Sequence, residues 1–156
     1  MVIKPCAASL VVFLAAWAPV SAGPPDGANS GIPSLFIASP SPNRSVKLGD
    51  DTEKSVKVVV VASNFVIRPA GQCGANQNCG HLHLKIDPTG DTCNIPGRNY
   101  NSMNSDTGTD VVMAHFAHCP NPSGLHTIGI LLAHDNHTPV IVEGKPVTAA
   151  VSINTE

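Results

Sequence analysis

The sequence predicts an all-β domain, an antiparallel sandwich of about seven strands. Short apolar and β-branched runs recur along the chain, and turn-forming residues separate them, with 14 prolines and 13 glycines spread over 156 residues. No stretch after residue 22 shows sustained helical periodicity. A small β-barrel is the alternative that this pattern leaves open.

Seven segments are predicted as strands because they alternate apolar and polar residues or carry consecutive β-branched residues. They are residues 35–38, 46–48, 55–66, 80–87, 111–116, 125–134 and 146–153. The run Val58–Val61 is apolar on both faces, which is typical of a sandwich core strand or of a central strand covered on both sides.

The first 33 residues are predicted to lie outside this domain. Residues 1–22 resemble a secretory signal peptide, with one basic residue at Lys4, an apolar run and small residues before the cleavage point. Residues 23–33 are predicted to be a flexible linker, and residues 34–156 the β-sandwich domain. The apolar run is shorter than the roughly 20 residues that span a bilayer. We therefore expect an exported protein, secreted or periplasmic, without an integral membrane segment after signal cleavage.

Charge and composition indicate which classes of binding partner to expect. The net charge is −2 and only 4% of the residues are aromatic, with no basic patch that would serve a nucleic acid. Nucleic acid is therefore excluded as an expected partner. A protein or a metal ion remains open.

Four cysteines follow the leader, at Cys73, Cys79, Cys93 and Cys119. An even number in an exported chain predicts two disulfides. Cys79 and Cys93 flank a predicted strand that separates its ends by roughly 20 Å, far more than a disulfide spans. Of the remaining pairings, we predict Cys73–Cys79, which closes a small loop, with Cys93–Cys119, which joins two segments that each follow a predicted strand. A zinc–cysteine site is the alternative, but the spacing lacks a Cys-x-x-Cys pair.

All seven histidines lie between His81 and His137. His81 and His83 share one strand face with Lys85, while Leu82 and Leu84 lie on the other face. We expect the histidine face to be exposed to solvent. Neutral imidazoles are good ligands for copper, zinc or nickel, so the pair predicts a surface metal site. The alternative is an ordinary polar strand face.

Two further histidines precede Cys119. Because the predicted Cys93–Cys119 bridge brings their segment near the histidine strand, His115 and His118 are predicted as the additional metal ligands. Copper or zinc is the expected metal, but the sequence does not establish that a cofactor is bound.

The remaining histidines receive different predictions. His126 shares strand parity with Ile128 and Ile130, so we expect it to face inward and to hydrogen-bond the backbone. His134 ends the same row and leads into a turn. His134, Asp135 and His137 form a second, weaker candidate metal set.

Several short motifs resemble those of bacterial immunoglobulin-like exported modules. They are Phe36–Pro40, Val61–Phe65, Ser123–Ile128 and Ala133–Asp135. In such modules a Gly-x-His/Tyr-Thr stretch opens the penultimate strand, as Gly124–Thr127 does here. The resemblance implies an immunoglobulin-like fold with a binding or structural role, and no reaction. Uncharacterised exported domains with paired histidines look similar to the two His-containing segments.

The segment His81–His83 is also similar to the His-Val-His strand of copper–zinc superoxide dismutases. That family carries further ligands in a zinc loop and an arginine near its C-terminal end, but no arginine follows His118 here. We expect a non-enzymatic binding or structural module, with metal bound by surface histidines and no catalytic residue assigned. A dismutase-like enzyme and a periplasmic copper or zinc carrier are the alternatives.

Overall fold

Two β-sheets pack face to face in the computed structural model, which describes residues 31–90, 92–95 and 103–156. The predicted signal peptide, and the predicted linker as far as residue 30, lie outside these residues. The strands are β1 (Ser34–Ser39), β2 (Ser45–Val46), β3 (Ser55–Ser63), β4 (Val66–Ile67), β5 (Cys79–Ile86), β6 (Ser105–Thr107), β7 (Val111–His115), β8 (Gly124–His134), β9 (Ile141–Val142), β10 (Lys145–Pro146) and β11 (Thr148–Thr155).

The smaller sheet has the order β1-β3-β7 and the larger sheet the order β2-β11-β8-β5-β4, with β6 paired to β5. Strands β9 and β10 form a separate hairpin. The long pairs β5–β8 and β8–β11 are antiparallel, whereas the short edge strands β2 and β4 run parallel to their neighbours. The predicted all-β sandwich is confirmed.

Alternating side chains of both sheets form one core. In β3, every second residue from Val56 to Val60 is buried, and in β5 the inward row runs from Leu82 to Ile86. The inward row of β8, Ile128 to Leu132, belongs to the same core. Each such side chain contributes about 1.5–3 kcal/mol through burial, so this apolar face holds the histidine strand in place.

The strand pattern departs from the prediction at several places. The predicted strand 55–66 is divided at Asn64, whose φ of 56° lies in the left-handed region and ends β3. β6 forms between the predicted strands 80–87 and 111–116. The predicted strand at 46–48 is reduced to the two-residue β2.

Both predicted disulfides are confirmed. Cys73 is bonded to Cys79 at the start of β5, and Cys93 is bonded to Cys119 beyond its other end. The 3-10 turn Phe116–His118 leads directly into Cys119. Within the described ranges, no helix is long and apolar enough to cross a membrane.

Candidate metal centre

Strand β5 places His81 and His83 on the outer face of the larger sheet, opposite the core. The prediction that this face is exposed to solvent is wrong, because His81 is 2% exposed and His83 is 1% exposed. Their partners on β8 are Ala133 and Leu131, which are also buried. Strand β8 is therefore apolar on both faces near its C-terminal end, so strand alternation in β5 alone did not reveal which face is covered.

The turn after β8 brings a third histidine, His137, to this pair. The backbone N–H of His137 donates to the carbonyl of His134, and the N–H of His134 donates to the carbonyl of Thr138. Asn136 accepts hydrogen bonds from the backbone N–H and the hydroxyl of Thr138. His137 itself has a φ of 65°, in the left-handed region that is uncommon for residues other than glycine.

A second contact ties this turn to the disulfide loop before β5. The backbone N–H of Gly71 donates to Oδ1 of Asp135 at 2.7 Å. Since Cys73 is bonded to Cys79, the start of β5 and the turn are held against each other. The turn after β8 and the segment before β5 therefore both determine the position of the His137 ring.

Three imidazole nitrogens converge in the resulting cluster. Nε2 of His83 lies 2.7 Å from Nε2 of His81, which lies 2.9 Å from Nδ1 of His137. The third side of the triangle, from Nε2 of His83 to Nδ1 of His137, measures 3.2 Å. We refer to His81, His83 and His137 as the histidine triad.

Hydrogen bonding alone does not satisfy this triangle. Each contact requires one N–H and one lone pair, and each nitrogen carries only one of the two. With any distribution of protons, at least one of the three contacts joins two lone pairs or two N–H groups. In addition, no hydrogen-bond partner among the described residues reaches Nδ1 of His81. Such an arrangement is costly in a buried site.

The triad has dimensions close to those of a metal site. The point equidistant from the three nitrogens lies about 1.7 Å from each, whereas zinc–imidazole bonds are about 2.0–2.1 Å long. Each ring would move outward by only a few tenths of an ångström to accept an ion. One cation at this point would engage all three lone pairs.

Burial favours the neutral form of His81 and of His83. Burial, together with the neighbouring His81 and His137 rings, lowers the pKa of His83 to about 4, and the carboxylate of Asp106 acts in the opposite direction. Burial, followed by His137, also lowers the pKa of His81, while the carboxylates of Asp106 and Asp135 act in the opposite direction. Neutral imidazole is the form that binds metals, so His81 and His83 keep their lone pairs available into mildly acidic solution.

The structure does not bring His115 or His118 to the triad. His115 lies across from Ser55, whose hydroxyl is 3.1 Å from Nδ1 of His115. Nε2 of His118 is 3.4 Å from a carboxylate oxygen of Glu53. Ile86, at the other end of β5, is five residues or roughly 16 Å from His81. The Cys93–Cys119 bridge lies beyond that end. It therefore draws these two histidines to the far end of the strand.

His126 occupies a buried site of a different kind, and its predicted inward position is confirmed. Its Nδ1 lies 2.8 Å from Oδ2 of Asp87, and its Nε2 lies 3.0 Å from the carbonyl oxygen of Asn121. The ring also packs edge-on against Phe116. The Cys93 and Cys119 sulfurs lie close to this ring, but they are bonded to each other.

The second candidate set, His134, Asp135 and His137, is divided by the structure. His137 joins the triad, Asp135 binds Gly71, and the His134 ring packs 6.5 Å from Phe65. The sequence signal for His137 was its place in a polar turn directly after a strand that pairs with β5. Only the register of β5 with β8 shows that this turn ends above His81.

Comparisons with known proteins leave the assignment of the site to its geometry. No family model matches the chain, and no curated protein matches it. Among solved structures, the fibronectin(III)-like modules of Clostridium thermocellum CbhA match with a TM-score of 0.43 and 10% identity, over 78% of this chain and 95% of that chain. At this similarity the match carries no argument about function.

Proposed function

We propose that this domain is a non-enzymatic binding module that holds one divalent transition-metal ion, Cu²⁺ or Zn²⁺, through His81, His83 and His137. The observation that carries the proposal is the convergence of three imidazole nitrogens at 2.7–3.2 Å in a buried site. A hydrogen-bonded cluster leaves such a triangle unsatisfied, and an ion at its centre satisfies it.

The ligand types favour these two metals. All three donors are imidazoles, which suit copper and zinc, whereas calcium and magnesium prefer oxygen ligands. His137 is only half buried, so an ion can enter from the side of the turn. The proposed role is that of an exported metal carrier or metal-stabilised module, and the two disulfides support an oxidising compartment.

The test is a calorimetric titration of the chelator-treated protein with Zn²⁺ and with Cu²⁺. We expect one equivalent to bind with micromolar or tighter affinity. The His81→Ala/His83→Ala variant should lose at least about 100-fold in affinity, because two of three ligands are removed. The His115→Ala/His118→Ala variant is the matched control and should bind like the wild type.

Two outcomes would change this conclusion. If the wild-type protein binds neither ion at micromolar concentration, the metal-binding proposal fails. If the metal-loaded protein accelerates superoxide dismutation, the dismutase-like enzyme replaces the carrier. Bound metal without turnover is the result that the proposal requires.

A further inference from the structure

A carboxylate stands beside the triad on the strand opposite His83. β6 is three residues long, and its central residue, Asp106, is directly paired with His83 of β5. Directly paired residues project from the same face of a sheet, with Cβ atoms about 4.5–5.5 Å apart. Asp106 therefore lies on the face that carries the triad.

The charge of Asp106 acts on both strand histidines. It favours the protonated form of His81 and of His83, although burial outweighs it in each case. Asp135, the other nearby carboxylate, acts on His81, and its Oδ1 accepts the hydrogen bond from Gly71. Asp106 is thus the nearby carboxylate that is directly paired with a triad residue.

A divalent ion bound by the triad would be stabilised by a nearby carboxylate ligand. Three imidazoles leave one position of a tetrahedral ion open. A divalent ion held by neutral ligands alone would also place two uncompensated charges in a buried site, which is costly. One carboxylate ligand fills the position and neutralises half of the charge. Asp106 is exposed to solvent, and its carboxylate lies outside the group of ligand atoms that are all within 4.8 Å of one another, so it must turn toward the ion to become a ligand.

We propose that the Asp106 carboxylate is the fourth ligand, closing the site as three histidines and one aspartate. This inference rests on the proposed metal-binding function. A closed four-ligand site leaves no position for a water or substrate, which is the arrangement of metal sites that hold an ion rather than react at it.

The experiment compares three isosteric variants, Asp106→Asn, Asp135→Asn and Asp110→Asn, loaded with Co²⁺ as a spectroscopic substitute for zinc. Asp110 is an exposed aspartate before β7 and serves as the control. For Asp106→Asn we expect the affinity to fall about 10- to 100-fold. Its visible spectrum should become pH-dependent, because a bound water that ionises takes the open position.

For Asp135→Asn and Asp110→Asn, the spectrum should stay that of the wild type, with an affinity loss below about 5-fold from the missing charge alone. An Asp106→Asn variant with wild-type spectrum and affinity would overturn the fourth-ligand assignment while leaving the histidine site intact. Absence of Co²⁺ and Zn²⁺ binding by the wild type would overturn both proposals. Thermal melts of the metal-free variants verify that each one is folded.

Discussion

The two ends of the β5–β8 pair both bury histidine, but in opposite ways. Near Asp87, both ring nitrogens of His126 have partners, one a carboxylate and the other a backbone carbonyl. At the other end, the triad nitrogens face one another, and Nδ1 of His81 has no partner among the described residues. The comparison teaches that the partners which the ring nitrogens face, and not burial, separate a structural histidine from a candidate ligand.

The two sites should also act on stability with opposite signs. A hydrogen bond to a charged group stabilises a fold by about 1.5–3 kcal/mol, so the His126 site contributes to folding. The metal-free triad removes polar groups from water without full compensation, which opposes folding. Strained or unsatisfied groups of this kind persist where function requires them.

The largest expected effect is on stability at the His126 end. Replacing Cys93 and Cys119 by alanine should lower the free energy of unfolding by about 3 kcal/mol, because the bridge spans 26 positions. Zinc affinity should stay within about two-fold of the wild type, since the bridge lies beyond the far end of β5. Urea denaturation and calorimetric titration measure the two quantities.

The second disulfide is the matched comparison. Replacing Cys73 and Cys79 should cost only about 2 kcal/mol, because the bridge spans six positions. It should also weaken zinc binding, since the loop that holds Asp135 and the start of β5 is released. Equal effects of the two double variants on zinc affinity would contradict the division into two ends.

His126→Ala is the next test of the comparison. We expect a loss of about 2 kcal/mol in the free energy of unfolding, because the hydrogen bond to Asp87 and the packing on Phe116 are removed. Zinc affinity should be unchanged. If this variant lost zinc binding while its thermal melt stayed that of the wild type, the metal site would lie near His126 and not at the histidine triad.

The pH dependence of the metal-free protein follows from the lowered pKa values of His81 and His83. Because the folded protein binds protons less readily than the unfolded chain, stability is greatest above pH 6.5 and declines as the pH falls toward about 4. The decline attributable to His83 should be about 3 kcal/mol over this range. Urea denaturation at a series of pH values measures it.

The control for this prediction is His81→Leu/His83→Leu. It removes the titrating groups and fills the buried face with apolar side chains, so the metal-free protein should become more stable by about 1 kcal/mol and less dependent on pH. An undiminished decline in stability between pH 6.5 and 4 would show that other groups cause it.

The smallest expected effect concerns the backbone at His137. His137→Gly should stabilise the metal-free protein by up to about 1 kcal/mol, because glycine adopts the φ of 65° without strain. His137→Ala removes the same imidazole but keeps the strain, so it should not be stabilising. Both variants should bind zinc more weakly than the wild type. Thermal melts and titration distinguish the outcomes.

Much of the fold and part of the site could be predicted from the sequence. Strand alternation placed His81 and His83 on one face, and the length of β5 excluded a bridge between Cys79 and Cys93. The same alternation placed His126 on the inward, apolar face of β8. These predictions succeeded because each depends on the two-residue period of a strand or on the reach of an extended chain.

Three features could not be read from local pattern. β6 has only three residues, too few to show a period, yet it places Asp106 beside His83. His137 joins a pair that lies 54 and 56 positions earlier in the chain. The groove of about 390 Å³ beside His83 is lined by residues of β5, β8 and β11 together with Pro88.

The residue types therefore determined the sandwich, both disulfides and the placement of His81 and His83 on one strand face, because strand periodicity and cysteine spacing act over short distances along the chain. Only the tertiary structure decided which strand face is buried and which third histidine meets His81 and His83. Both outcomes depend on which residues pack over the outer face of β5. The register of β5 with β8 brings the apolar outer residues of β8 and the turn at His137 to this face. No local sequence pattern encodes that register.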